Sequence, residues 1–133
     1  MRGVWKETER HLIGQPLRLM RRENDWAFDF GDAATICVGC LWRMRSEALL
    51  LTSEDSDRQF GLPEPIDAAS RCNEIVAGAV VDAIAFDQQT GDLTLDMSNG
   101  VKVELITDSS GYESWQVYAG DELRAVGGNG GLR

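Results

Sequence analysis

In the stretch Ala34-Thr35-Ile36-Cys37-Val38-Gly39-Cys40-Leu41-Trp42-Arg43-Met44, the even positions Ala34, Ile36, Val38, Cys40, Trp42 and Met44 are all apolar. Thr35, Cys37, Gly39, Leu41 and Arg43 fall on the other side of an extended chain. A period of two belongs to a strand with one face in a core and the other toward water. One strand is therefore predicted over 34–44, with its even face inward.

The same pattern continues upstream. Pro16 to Arg22 reads as a first strand, Glu23-Asn24-Asp25 is turn chemistry, and Trp26-Ala27-Phe28-Asp29-Phe30 places three large rings on one face. Gly31-Asp32 turns the chain toward Ala34. Downstream, Glu47 to Thr52 reads as a shorter strand. It leads into the acidic loop Ser53-Glu54-Asp55-Ser56-Asp57-Arg58 and a stretch punctuated by Gly61, Pro63 and Pro65.

From about Pro65 to Ala77 the period changes. Pro65 suits a first helical turn, Asp67 favours the positive end of the helix dipole, and Ala69, Cys72, Ile75 and Val76 make an apolar stripe that Gly78 can close. The N-cap is undefined, since Glu64 is not a preferred capping residue. Strands are predicted near 79–86, 92–97, 101–106, 114–119 and 122–126. Asn99-Gly100 reads as a two-residue turn that sets Leu93, Leu95 and Met97 against Val101, Val103 and Leu105. Asp92, Thr94, Asp96, Lys102 and Glu104 occupy the wet face of that hairpin.

These elements predict an α+β fold: a strongly bent, mainly antiparallel sheet, a meander of hairpins, with one main α-helix. A small sandwich or half-barrel is the alternative. The 133 residues suit a single domain over 1–126, and Gly127-Gly128-Asn129-Gly130-Gly131 reads as a flexible glycine-rich tail over 127–133.

Charge and composition bound the function. The net charge of -9 is concentrated, because residues 1–50 carry 8 basic and 7 acidic side chains whereas residues 51–133 carry 5 and 15. Such a surface repels phosphate backbones and favours a basic protein partner, so no nucleic-acid binding is expected. No apolar run has the length of a membrane span, and the start has no apolar core behind its charges, so the expectation is a cytoplasmic protein without membrane contact. The odd set Cys37, Cys40 and Cys72 fits reduced thiols.

No motif carries specific chemistry. Cys37-Val38-Gly39-Cys40 has the CxxC spacing, but on a strand the two thiols point to opposite faces, and Cys72 and His11 form no second closely spaced pair to complete a four-ligand zinc site. His11 reads as an exposed or partly packed residue. Glu54, Asp55 and Asp57 lack the glycine and terminal glutamate of a calcium loop, and Asp92 and Asp96 read as solvating carboxylates. No GxSxG, P-loop or GxGxxG pattern occurs. No catalytic residue, cofactor or metal is therefore expected, and the chain is read as not an enzyme. Of the tryptophans, Trp26 and Trp42 read as core, whereas Tyr112, Glu113 and Trp115 read as a hairpin edge fit for an interface.

Leu12-x-Gly14, Trp26-x-Phe28-x-Phe30, Trp42-Arg43, Gly91-Asp92-Leu93, Ser98-Asn99-Gly100 and Gly111-Tyr112-Glu113-Ser114-Trp115 together resemble an uncharacterised family of small bacterial proteins, domains of unknown function. Members resemble immunity proteins of polymorphic toxins. The resemblance implies a β-rich α+β fold and neutralisation of a basic toxin or nuclease by surface complementarity, with no catalytic residues. The expected function is a protein-binding module using Glu54, Asp55, Asp57, Tyr112, Glu113 and Trp115. The competing expectations are a small-molecule binder or enzyme with a cavity lined by Trp26, Phe28 and Trp42, and a homodimer joined at a strand edge.

Overall fold

The computed structural model describes residues 2–46, 49–53, 67–107 and 113–128. The elements are α1 (Arg2–Leu12), β1 (Arg18–Arg21), β2 (Trp26–Phe30), β3 (Ala34–Val38), β4 (Leu41–Ser46), β5 (Leu49–Ser53) and α2 (Ala68–Ile75). They continue with β6 (Val81–Phe86), β7 (Leu93–Met97), β8 (Val101–Ile106), β9 (Glu113–Ala119) and β10 (Glu122–Gly128). The fold is α+β, with two antiparallel sheets and two short helices. The first sheet runs β1-β2-β3-β9-β10 and the second β5-β4-β8-β7-β6. The single bent sheet expected from sequence is thus two sheets, neither curled nor closed, and the single helix is two.

The stretch 34–44 explains the difference. It breaks at Gly39 and Cys40: β3 pairs with β2 and β9, whereas β4 pairs with β5 and β8 in the other sheet. Ala34, Ile36, Val38, Cys40, Trp42 and Met44 are nonetheless all buried, as the alternation predicts. Periodicity reports which side of the chain is dry, not which strand accepts its hydrogen bonds. Both sheets turn an inner face to one core, so the pattern runs through the crossover unbroken.

That core is continuous and draws on both sheets. Trp42 of β4 meets Trp26 edge-on at 4.9 Å and Phe28 at 5.7 Å, both from β2. Phe86 of β6 meets Trp115 of β9 at 5.8 Å in the same manner. Such pairs contribute about 0.5–1.5 kcal/mol each beyond the burial of their area. The rings expected to line a cavity are therefore packed on one another.

α1 has no counterpart in the sequence reading. Its buried residues Thr8 and Leu12 lie one helical turn apart, and the helix ends at Gly14, whose φ of 82° requires glycine. With only one face apolar and charges elsewhere, Arg2–Leu12 has no apolar run to draw attention, although the four-residue spacing was there to be read. α2 is shorter than the predicted helix. Asp67 is its N-cap, accepting a hydrogen bond from the Ser70 N–H at 3.2 Å, so the helix starts three residues after Pro65.

Two turn expectations change as well. Gly100 N–H bonds the Met97 carbonyl at 3.0 Å, Gly100 has φ 87°, and Asp96 lies opposite Lys102. The loop therefore holds three residues, Ser98, Asn99 and Gly100, rather than two, and this is the loop length that allows Leu93 and Leu95 to face Leu105 and Val103. Asn99 also donates from Nδ2 to the Ile75 carbonyl at 2.9 Å, tying the hairpin to the end of α2.

The predicted tail begins too early, because β10 includes Gly127 and Gly128. Gly127 lies opposite Trp115, and a Cβ there would occupy the volume of the Trp115 indole. The glycine is anchored by what it leaves room for. Gly127→Ala should destabilise the protein by about 1–3 kcal/mol through overpacking, read as a lower denaturant midpoint with unchanged slope.

On the outer face of the second sheet, Glu104 accepts from Arg43 Nε at 2.7 Å and Arg45 Nε at 2.9 Å, and Lys102 pairs with Asp96. Partial burial opposes ionisation of Glu104, but the two arginines outweigh it and hold the carboxyl below its ordinary value of 4.5. A lowered carboxyl pKa adds stability above the unfolded value that is lost as pH falls through the folded one. Glu104→Gln should therefore cost up to about 1 kcal/mol at pH 7. The gap from the parent protein should close as the pH is lowered below 4.5.

Candidate protein-binding surface

β6 is the last strand of its sheet and bonds to β7 alone along most of its length. Only its first residue has other backbone partners among the described residues: Val81 N–H donates to the Gln15 carbonyl at 2.9 Å and its carbonyl accepts from Gly14 N–H at 2.7 Å. The register shifts between Val81 and Ala83, which places Asp82 at a bulge, and from Ala83 to Phe86 the pairing is regular. Ala83 and Ala85 are exposed, Ile84 and Phe86 half-buried.

The other edges differ. Asn73 of α2 closes β1 as a neighbouring strand would, donating from Nδ2 to the Leu19 carbonyl at 3.0 Å and accepting from Leu19 N–H at 2.7 Å. α2 also contacts β5, and α1 lies against β10. Among the described residues, helices thus contact three of the four outermost strands, and β6 is the one with no comparable helix contact.

Carboxylates stand at both ends of this strand. Asp82 and Asp87 are exposed. Asp87 organises the following loop by accepting from Gln89 N–H at 2.8 Å and Thr90 N–H at 3.2 Å, and Asp92 accepts from Thr107 N–H at 2.8 Å. Between them opens a shallow cleft of about 520 Å³ lined by Ala85, Phe86, Asp87, Gln88, Asp92 and Thr94. Its underside is fixed from the core, where Trp115 Nε1 donates to the Gly91 carbonyl at 2.9 Å.

Trp115 is therefore misplaced in the sequence reading. It is wholly buried, since the inner face of β9 and not the hairpin edge claims it, and its contribution to any surface is to hold the 87–92 loop from beneath. Glu113 is exposed at the start of β9 and accepts from Gln116 Nε2 at 3.2 Å. Glu54, Asp55, Asp57 and Tyr112 lie outside the described residues. Asp82 and Asp87 were missed because identifying an edge strand requires the strand order, which alternation does not encode.

Comparison of the chain with protein-family models, curated proteins and solved structures finds no match. The site rests on its own geometry.

The thiols do not converge. Cys37 is half-buried on the outer face of β3, while Cys40 and Cys72 are buried. Among the described residues no group of His, Cys, Asp and Glu side chains is placed to hold a metal ion. Burial pushes the Cys72 thiol up to about 12, and the neighbouring Arg71 only partly offsets it. Alkylation of the native protein at pH 8 should therefore modify Cys37 first. Cys40 and Cys72 should react at the rate of unfolding, and mass analysis of the labelled peptides reads this directly.

Proposed function

We propose that this chain is a protein-binding module that docks a basic partner on β6 and the acidic rim at its ends, without covalent chemistry of its own. The observation that carries this reading is the pairing of an outermost strand, bonded along most of its length to β7 alone among the described residues, with exposed carboxylates, Asp82 and Asp87, at its two ends. The charge balance supports it. Arg22 pairs with Asp25, Arg43 and Arg45 with Glu104, Lys102 with Asp96 and Arg124 with Glu122, so much of the described basic charge is neutralised internally. Glu7, Asp32, Asp82 and Asp121 are exposed without an ion pair among the described residues.

A surface of one sign steers an oppositely charged partner and accelerates its approach more than it raises net affinity. A basic toxin or nuclease, the partner that the resemblance implies, has the complementary charge. The test is capture on the tagged full chain from a lysate of its host at low and moderate salt, followed by kinetics with the protein identified. Asp82→Asn combined with Asp87→Asn should slow association by roughly ten-fold at low salt and flatten its salt dependence. Unchanged association rates would remove these carboxylates from the docking surface.

A further inference from the structure

We infer that β6 receives an extended basic segment of its partner as an added strand, a mode that rests on the reading of the chain as a docking module for basic proteins. Asp87 N–H bonds the Asp92 carbonyl at 3.0 Å. Inward and outward backbone groups alternate along a strand, so with Ala85 facing Thr94 and Ile84 facing Leu95, the Ile84 N–H and C=O point away from β7. The small, exposed side chains of Ala83 and Ala85 leave that backbone open to an incoming strand. Neither lysine nor proline guards the edge, and the single bulge lies at its beginning.

The charges select the occupant. Asp82 and Asp87 are five positions apart, about 17 Å along an extended chain, so an added strand of six or seven residues spans both. Lysine or arginine near each of its ends would meet a carboxylate, and at the Phe86 end a cationic side chain reaches the cleft between Asp87 and Asp92. Backbone bonds supply the docking and the carboxylates its preference for a basic sequence. A second copy of this chain fits less well. Two antiparallel β6 strands bonded through their outward backbone groups centre on Ile84 or Ala85, and either register brings Asp82 of each copy within one position of Asp87 of the other, where like charges repel.

The full chain would be titrated with a synthetic eight-residue peptide alternating lysine and valine, and in parallel with one alternating glutamate and valine, while amide exchange is followed by NMR. The lysine peptide should slow exchange of the Ile84 amide by about ten-fold or more, and the glutamate peptide should leave it unchanged. Asp82→Asn should weaken binding several-fold and reduce its salt dependence. Ile84→Pro, which removes a donor from an edge strand, should lose binding by about ten-fold. The exchange readout uses the unaltered protein and stands even if the proline variant folds poorly.

Salt-sensitive binding that leaves Ile84 exchange unchanged would overturn strand addition and leave the basic-partner reading standing. Failure of both the lysine peptide and every basic protein to bind would overturn both. Concentration-dependent self-association that protects Ile84 would assign the edge to a second copy instead.

Discussion

The contact of Trp42 with Trp26 and Phe28 is the constraint on which the other features depend. β4 and β2 belong to different sheets, so side-chain packing rather than a strand ladder joins them. Trp42 lies two residues after the crossover at Cys40, and the chain can step between sheets there because the ring finds its partners at once. Its Nε1 has no hydrogen-bond partner among the described residues. A buried donor in that position costs stability that the ring contacts offset.

A second aromatic contact, Phe86 with Trp115, joins the sheets at β6 and β9 and bears on function. Trp115 does three things with one side chain. It fills the core, it holds the Gly91 carbonyl and so the loop between Asp87 and Asp92, and it requires a glycine opposite at position 127. The acidic cleft is therefore held from the core at the end of an outermost strand. Rigidity matters for a docking surface because a preformed site loses less entropy when a partner binds.

The management of sheet edges shows where the molecule is closed. Asn73 reproduces with one amide the two hydrogen bonds that a neighbouring strand would make to Leu19, and α1 and α2 attend β10 and β5. β6 stands outside this scheme among the described residues, and its outward backbone groups at Ile84 lie between exposed carboxylates. Open edges are hazards when flat and neutral, and the acidity of this one limits pairing between copies.

Much was legible in the residues alone. The alternation at Trp26–Phe30 and Ala34–Met44 determined which side chains are buried, and the spacing of the later strands is close to that observed, because burial and strand period are local properties of the chain. Asp67 as a helix cap and the Thr8–Leu12 spacing of α1 were readable but faint, each resting on one or two residues. Only the tertiary structure decided that Ala34–Met44 serves two sheets, that Trp115 faces inward, that Gly127 is part of a strand and that β6 is an outermost strand. Those depend on which segments meet across long stretches of chain. A side-chain pattern of period two states that one face is dry, and it is the same whichever neighbour supplies the hydrogen bonds.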